Sequence, residues 1–216
     1  MTVDAAALEQ AERALRAEFR ETEGIVMRTH ADGGFSWHQH LYRRLLALAG
    51  VSGEADALDN AAAVMLREHR ASNAWRRIGV GVRDALERLR AANFKLAVVS
   101  NSEGTIEQML TEIDLRDLFD AVVDSAVVGV TKPEPRIFQI ALDRLGVSPA
   151  EALMVGDSPS ADIGGAHNAG IRAALIDPYD FYPWCCAPRF KDVPALTEAL
   201  LASSSDTSSG DTSRAD

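Results

Sequence analysis

The sequence predicts an α/β fold, in which a Rossmann-type, three-layer parallel sheet follows an all-helical module. From residue 79 onwards, short apolar runs alternate with amphipathic stretches, and this alternation is typical of βαβ units with right-handed crossovers. Before that point the apolar spacing is helical throughout. We therefore expect a helical module over residues 1–78, an α/β core over residues 79–202 and a disordered tail over residues 203–216.

Three amphipathic helices are predicted in the helical module. The first spans residues 5–21, the second begins near Ser36, a good N-cap, and the third spans residues 55–70. His38 and His40 belong to the second helix. Two residues at that spacing point to different faces of a helix, so packing or surface positions are favoured over metal binding.

The α/β core is predicted as a regular series of short elements. Strands are expected at residues 95–100, 121–124, 152–155 and 173–176, and helices at residues 82–92, 105–113, 135–145, 162–169 and 193–201. The proline- and aromatic-rich segment Asp177–Pro188 is predicted to be an ordered loop over the sheet edge. From Ser203 the chain is nearly devoid of apolar residues, and such a segment cannot offset its ordering entropy.

Composition excludes some classes of partner. The net charge is −10, from 32 acidic and 22 basic residues, which argues against binding to nucleic acid or to an anionic membrane surface. The sequence contains neither an apolar run of transmembrane length nor the features of a signal peptide. We therefore expect a cytoplasmic protein. Cys185 and Cys186 are adjacent, which fits neither a disulfide framework nor a Cys-x-x-Cys motif, and we expect reduced, structural thiols.

The stretch from Leu153 to Gly170 contains a candidate metal site. An apolar strand ends at Gly156, Asp157 follows directly, and Asp162 comes five residues later at the predicted start of a helix. Ligands bind at the carboxyl ends of parallel strands, and Mg²⁺ accepts one or two carboxylates together with phosphate and water. The structural alternative is that Asp162 is an N-cap and Asp157 a turn residue.

Two other strand ends supply groups suited to an anion. Ser100 ends the run LAVVS, and its hydroxyl and the backbone N–H groups after it are suited to a phosphate oxygen. Lys132 precedes Pro133, which favours an extended backbone at the lysine. Serines at strand ends and lysines before prolines are also common without function. Together with Asp157 and Asp162, however, they form a coherent site for phosphate and Mg²⁺, since the lysine and the metal neutralise an anionic ligand.

Three motifs in this order resemble those of the haloacid dehalogenase-like (HAD) hydrolases. VVSNS from Val98, TKPEPRIF from Thr131 and VGDSPSADIGGAHNAG from Val155 are similar to the family's second, third and fourth motifs. The helical module resembles the small cap of the phosphatase-like branch, and the resemblance covers about residues 8–200. It implies that Ser100 and Asn101 bind the phosphoryl group, that Lys132 orients and neutralises it, and that Asp157 and Asp162 serve the Mg²⁺ site.

The family's first motif has no counterpart in this sequence. Members begin with a strand ending in Asp-x-Asp-x-Thr or a close variant, whose first aspartate attacks phosphorus. Here the start reads MTVDAAALEQ; no apolar strand precedes Asp4, which we interpret as a helix N-cap. The expectation is an N-terminally truncated chain. The resemblance places the absent strand between those ending at Ser100 and Val155, so either a gap or a forced pairing of these two is expected.

Three functions are compatible with these observations. The first is a Mg²⁺-dependent phosphatase of the HAD class that acts on a small phosphorylated metabolite and is impaired without its nucleophile. The second is a non-catalytic phosphate-binding or regulatory protein that keeps the pocket. The third, dehalogenation of small haloacids, ranks last because Gly156-Asp157 with a second acid favours a metal site. Any Mg²⁺ binding is expected to be weak, since Mg²⁺ sheds its waters reluctantly.

Overall fold

The computed structural model describes residue 4, residues 6–18 except 9 and 16, and residues 37–51, 55–71 and 76–208. The chain divides into two compact units, Met1–Trp75 and Arg76–Asp216. This boundary lies close to the one expected from the sequence. In the described residues no helix is both long enough and apolar enough to cross a membrane.

The regular elements among the described residues of the first unit are all helices. Helix α1 comprises the helical residues between 6 and 18, α2 is Trp37–Leu48 and α3 is Ala55–Ala71. Tyr42 on α2 packs with Ala62 and Leu66 on α3, as the amphipathic spacing predicts. The end of the first predicted helix and the Ser36 cap lie outside the described residues.

Asp4 lies at the start of α1. Its backbone carbonyl accepts a hydrogen bond from the N–H of Leu8 at 3.1 Å, which is the bond that an N-cap residue accepts at the start of a helix. Asp4 thus occupies a helix-start position in the first unit, as its interpretation as a cap predicts.

The second unit contains five parallel strands in two separate sheets. They are β1 (Ala97–Ser100), β2 (Ala121–Asp124), β3 (Leu153–Gly156), β4 (Arg172–Ile176) and β5 (Arg189–Phe190). β1 pairs with β2, and the order in the other sheet is β3-β4-β5. All pairs are parallel, as the alternation of helices and strands predicts. Among residues 76–208 no strand lies between β1 and β3 and these two do not pair, so the expected gap is present.

Helices cover both faces of the β1–β2 sheet. The helices of the second unit are α4 (Val82–Ala91), α5 (Ile106–Glu112), α6 (Ser125–Val128), α7 (Pro135–Leu145), α8 (Gly165–Asn168) and α9 (Val193–Ser208); α5 and α7 lie against the β1–β2 sheet. Val123 packs with α7 residues, whereas Val122 packs with α5 residues. Successive residues of a strand point to opposite faces, so these helices lie on opposite sides of the sheet and form three layers.

The largest core cluster joins α7 to the strands. Ile137 and Phe138 are almost completely buried and pack with Val123 and Ala166. A Cβ added at Gly165 would lie 2.7 Å from Cε2 of Phe138 and 2.9 Å from Cα of Pro133, closer than such atoms approach one another. The absence of a side chain at Gly165 therefore allows α8 to pack closely against α7 and the loop before it.

The helix expected over residues 162–169 was placed too late in the sequence. The helical segment begins at Pro159 with a π-helical turn, Pro159–Gly164, and continues as α8. Ser158 caps it, since its hydroxyl accepts a hydrogen bond from the N–H of Ala161 at 3.1 Å. Asp162 therefore lies inside the turn and is not its N-cap. Proline is well suited to the first helical position, and this signal marks the true start.

Two further differences concern the C-terminal part of the unit. Residues 189 and 190 form β5, which pairs with β4 through Leu175–Arg189 and Ile176–Phe190; two residues are too short to show a strand periodicity. α9 continues to Ser208 and so enters the segment expected to be a disordered tail, because extending an existing helix is far easier than starting one. Residues 209–216 lie outside the described residues.

Cys185 and Cys186 are free thiols in the loop before β5.

Candidate functional site

The candidate site lies at the carboxyl ends of β1 and β3. β1 ends at Ser100 and β3 ends at Gly156. Lys132 lies in the connection between α6 and α7, and Asp162 lies in the turn that follows β3. The chain thus brings three separate loops to one edge of the two sheets, where parallel α/β proteins bind their ligands.

Lys132 and Asp162 form a largely buried ion pair at this edge. The ammonium nitrogen Nζ of Lys132 lies 2.7 Å from Oδ1 of Asp162, and the two side chains are 12% and 4% exposed. At that distance the contact is a charge-assisted hydrogen bond. Because a buried charge is costly without a partner, each group holds the other in place.

Asp162 also ties down the loop after β3. Its second oxygen, Oδ2, accepts hydrogen bonds from the backbone N–H groups of Asp157 at 3.1 Å and Ser158 at 3.0 Å. Both carboxylate oxygens therefore receive protein donors. A Cβ at Gly156 would overlap the Asp162 side chain, which explains why a residue without a side chain ends β3.

Asp157 is placed differently from Asp162. Its residue is exposed, it follows β3 directly, and its backbone N–H is held by Asp162. It lines the same cleft as Lys132. Hard cations such as Mg²⁺ prefer oxygen ligands and keep several waters, and an accessible carboxylate is a ligand of that type. No group of three or more His, Cys, Asp or Glu suited to a metal occurs among the residues the structure describes.

Asn101 bonds to the backbone of Lys132 through both ends of its carboxamide. Oδ1 accepts from the N–H of Lys132 at 2.8 Å, and Nδ2 donates to the carbonyl of Lys132 at 3.0 Å. Ser100 precedes Asn101 at the end of β1. Two hydrogen-bonded links, Asn101 to Lys132 and Lys132 to Asp162, thus connect the loop after β1 with the loop after β3. The juxtaposition of Lys132 and Asp157 with Ser100 across the crevice stays a prediction.

Two supporting aspartates were not singled out from the sequence. Asp124 ends β2, is 5% exposed and accepts hydrogen bonds from the backbone N–H groups of Gly104, Ile106 and Ala126. Asp177 follows β4 and accepts from Phe181 and Tyr182. Each is the first charged residue after an apolar run, AVVD and ALID. This signal was available, but it does not separate an aspartate that holds a loop from one that faces a ligand.

An apolar cleft of about 1120 Å³ leads into this edge from the interior of the unit. Its sides are formed by β1 and β3, and the helices α4, α7 and α9 also contribute to its lining. Lys132, Asp157 and Asp162 line the same cleft. The gap between the two sheets therefore opens onto the polar residues of the candidate site.

A family model and several known proteins match this chain. The family described as "Haloacid dehalogenase-like hydrolase" matches residues 49–176. The mouse protein "Haloacid dehalogenase-like hydrolase domain-containing protein 3" is 34% identical over 169 residues, which are 77% of this chain and 66% of that protein. The chain thus spans just under two thirds of that relative's length.

Two phosphatases are also similar to this chain. The phosphoserine phosphatase of Thermus thermophilus is 40% identical over 93 residues, 43% of this chain and 37% of that protein. Among solved structures, a HAD phosphatase from Thermococcus onnurineus is 25% identical and has a TM-score of 0.58 over 90% of this chain and 86% of that one.

Proposed function

Because the chain belongs to the haloacid dehalogenase-like hydrolase family, we propose that it acts as a Mg²⁺-dependent phosphatase on a small phosphorylated metabolite. The observation that carries this proposal is the buried Lys132–Asp162 pair at the carboxyl edge, with the accessible Asp157 on the same cleft. A fixed ammonium beside an exposed carboxylate suits a phosphate dianion with a divalent cation. The similarity to phosphatases supports the same reaction class.

Each residue has a distinct part in this proposal. Lys132 neutralises the phosphoryl group, and Asp162 keeps its ammonium directed to the edge. The hydroxyl of Ser100 donates a hydrogen bond to a phosphate oxygen. Asp157 would hold Mg²⁺, whereas Asp162, whose oxygens already accept protein donors, would support that site. Bound Mg²⁺ supplies charge neutralisation of the phosphoryl oxygens.

Covalent chemistry needs a carboxylate nucleophile in addition to Asp157 and Asp162, which this proposal assigns to the metal site. Asp4 begins helix α1 and does not end a strand. A nucleophile placed at the mouth of the cleft between β1 and β3 would face Lys132 and Asp157. Turnover through an aspartyl-phosphate is therefore proposed to require a strand in that cleft that ends in an aspartate.

The test is a phosphate-binding titration followed by an activity assay. Inorganic phosphate is titrated into the full chain with and without Mg²⁺, and its affinity is read by calorimetry. We expect binding that is strengthened by Mg²⁺ and reduced about tenfold or more in Lys132→Ala, because charge-assisted hydrogen bonds are among the stronger ones. Lys95→Ala is the matched control, since Lys95 precedes β1 at the opposite end of the parallel strands.

The same samples separate the other two functions. Hydrolysis of p-nitrophenyl phosphate is measured for the chain and for a fusion protein. The fusion protein carries an additional N-terminal strand that ends in an aspartate and is intended to fill the cleft between β1 and β3. Phosphate binding without turnover by either form would favour a non-catalytic phosphate-binding protein. Chloride release from a small 2-chloro acid, with no phosphate binding, would favour a dehalogenase and overturn the phosphatase proposal.

A further inference from the structure

The carboxamide of Asn101 makes two hydrogen bonds to a single residue. An asparagine side chain offers one carbonyl acceptor and an NH₂ donor, and both are used here on the N–H and the C=O of Lys132. The contact resembles a short piece of sheet pairing, made by a side chain instead of a strand. It fixes the Lys132 backbone relative to the end of β1.

The side chain that begins at this fixed backbone ends at Asp162. The Lys132 ammonium donates to Oδ1 of Asp162 at 2.7 Å, and Asp162 is anchored to the loop after β3 through Asp157 and Ser158. A lysine has a flexible four-carbon stem, so a bond at its head alone does not fix its path. Lys132 is held at its backbone from β1 and at its head from the loop after β3.

This double attachment matters because β1 and β3 do not pair with each other. Their relative position at the carboxyl edge is therefore not set by a backbone ladder between them. The chain of contacts from Asn101 through Lys132 to Asp162 connects the two sheets at the point where the anion is proposed to bind. Loss of the Asn101 contacts would release the backbone end of that connection.

We propose that Asn101 is a positioning residue for Lys132 and acts through the lysine, without contacting the phosphate. This inference rests on the proposed function, in which Lys132 binds the phosphoryl group. It differs from the role that the sequence resemblance implies, in which Asn101 is itself a phosphate ligand. The two roles predict different behaviour when Lys132 is removed.

A double-mutant cycle on inorganic phosphate affinity distinguishes them. Asn101→Ala, Lys132→Ala and the double variant are titrated with phosphate by calorimetry. We expect Asn101→Ala to weaken binding about tenfold in the wild-type background and to have no further effect in the Lys132→Ala background, since residues in one network are not additive. An equal loss in both backgrounds would show that Asn101 contacts phosphate independently and would overturn the proposal. An unchanged affinity in the single variant would overturn it as well.

Lysine reactivity gives a second readout that needs no ligand. The sequence contains three lysines, Lys95, Lys132 and Lys191, so trace acetylation followed by peptide mass spectrometry reports each one separately. In the wild type we expect Lys132, with 12% exposure, to react more slowly than exposed Lys191. Asn101→Ala should raise the Lys132 rate at least about threefold and leave the other two rates unchanged, because only Lys132 loses a positioning contact.

Controls keep the outcomes separate. Asn168→Ala removes an exposed asparagine on α8 and should change neither phosphate affinity nor Lys132 reactivity. Asn101→Ser is used if the alanine variant does not fold, because a single short hydroxyl cannot replace both bonds of the carboxamide. If the wild type binds no phosphate, the proposed function fails, and acetylation still decides the role of Asn101: an unchanged Lys132 rate in Asn101→Ala or Asn101→Ser overturns it.

Discussion

Filling the cleft between β1 and β3 with a strand should stabilise the second unit. The perturbation is an N-terminal fusion that carries a flexible linker and an apolar segment of about five residues ending in aspartate, a length typical of strands. Because the cleft is bounded by strands at its sides and lined by helices α4, α7 and α9, the inserted strand must be apolar on both faces. This is the pattern of buried parallel strands.

The magnitude follows from three contributions. β1 and β3 are four residues each, and about half of the N–H and C=O groups of each strand face the cleft, so about eight hydrogen bonds at roughly 0.5–1.5 kcal/mol each are available. Ordering about five residues costs roughly 1–2 kcal/mol each in backbone entropy, which largely offsets them. The gain is therefore set by burial of about five side chains, at roughly 1.5–3 kcal/mol each before side-chain entropy.

A net gain of several kcal/mol is expected, and it is measured as a shift of the thermal unfolding midpoint. For a chain of this size each kcal/mol raises Tm by roughly 2–4 °C, so we expect a rise of at least about 5 °C. The matched control fusion has proline at two positions of the segment, which removes ladder donors. Equal Tm values for the strand and proline fusions would refute the inference that the cleft accepts a strand.

Three substitutions test other parts of the structure. Gly156→Ala should lower stability by about 1–3 kcal/mol, the usual cost of overpacking, and weaken phosphate binding, because the new Cβ overlaps Asp162; unchanged Tm and affinity would contradict this. The backbone N–H of Leu96 donates a hydrogen bond to the Asp120 carboxylate, and this bond lowers the pKa of that carboxyl. The ionised carboxylate therefore stabilises the folded state above the unfolded-state pKa, and this stabilisation is lost as the pH falls through the folded-state pKa. The difference in urea midpoint between wild type and Asp120→Asn should therefore shrink from pH 6 to about pH 3, and a constant difference would contradict this pKa assignment. Phe138→Ala should cost about 3–5 kcal/mol, since that side chain is almost fully buried in the core cluster; a cost below about 1 kcal/mol by urea denaturation would show that the site is loosely packed.

Local sequence patterns determined most elements of the second unit, though not β5 or the start of the helical segment after β3, and they determined the order of the site residues. Apolar runs such as AVVD give strands, as in β2, and α7 begins at Pro135 and ends before Gly146 as its capping signals predict. Ser100, Lys132 and Asp157 could be selected because each lies just beyond or between such runs. These features depend on neighbours within a few residues, and the sequence contains that information directly.

Only the tertiary structure decided what the polar residues do at the shared edge. Asp157 and Asp162 look equivalent in the sequence, yet Asp162 is buried against Lys132 while Asp157 is exposed. Asn101 looks like a ligand, yet its carboxamide bonds to the Lys132 backbone 31 residues away. Such partners are far apart along the chain, and their hydrogen bonds form only when the donor–acceptor distance is right to within a few tenths of an ångström. Those distances are set by the packing of strands and helices that no local pattern contains.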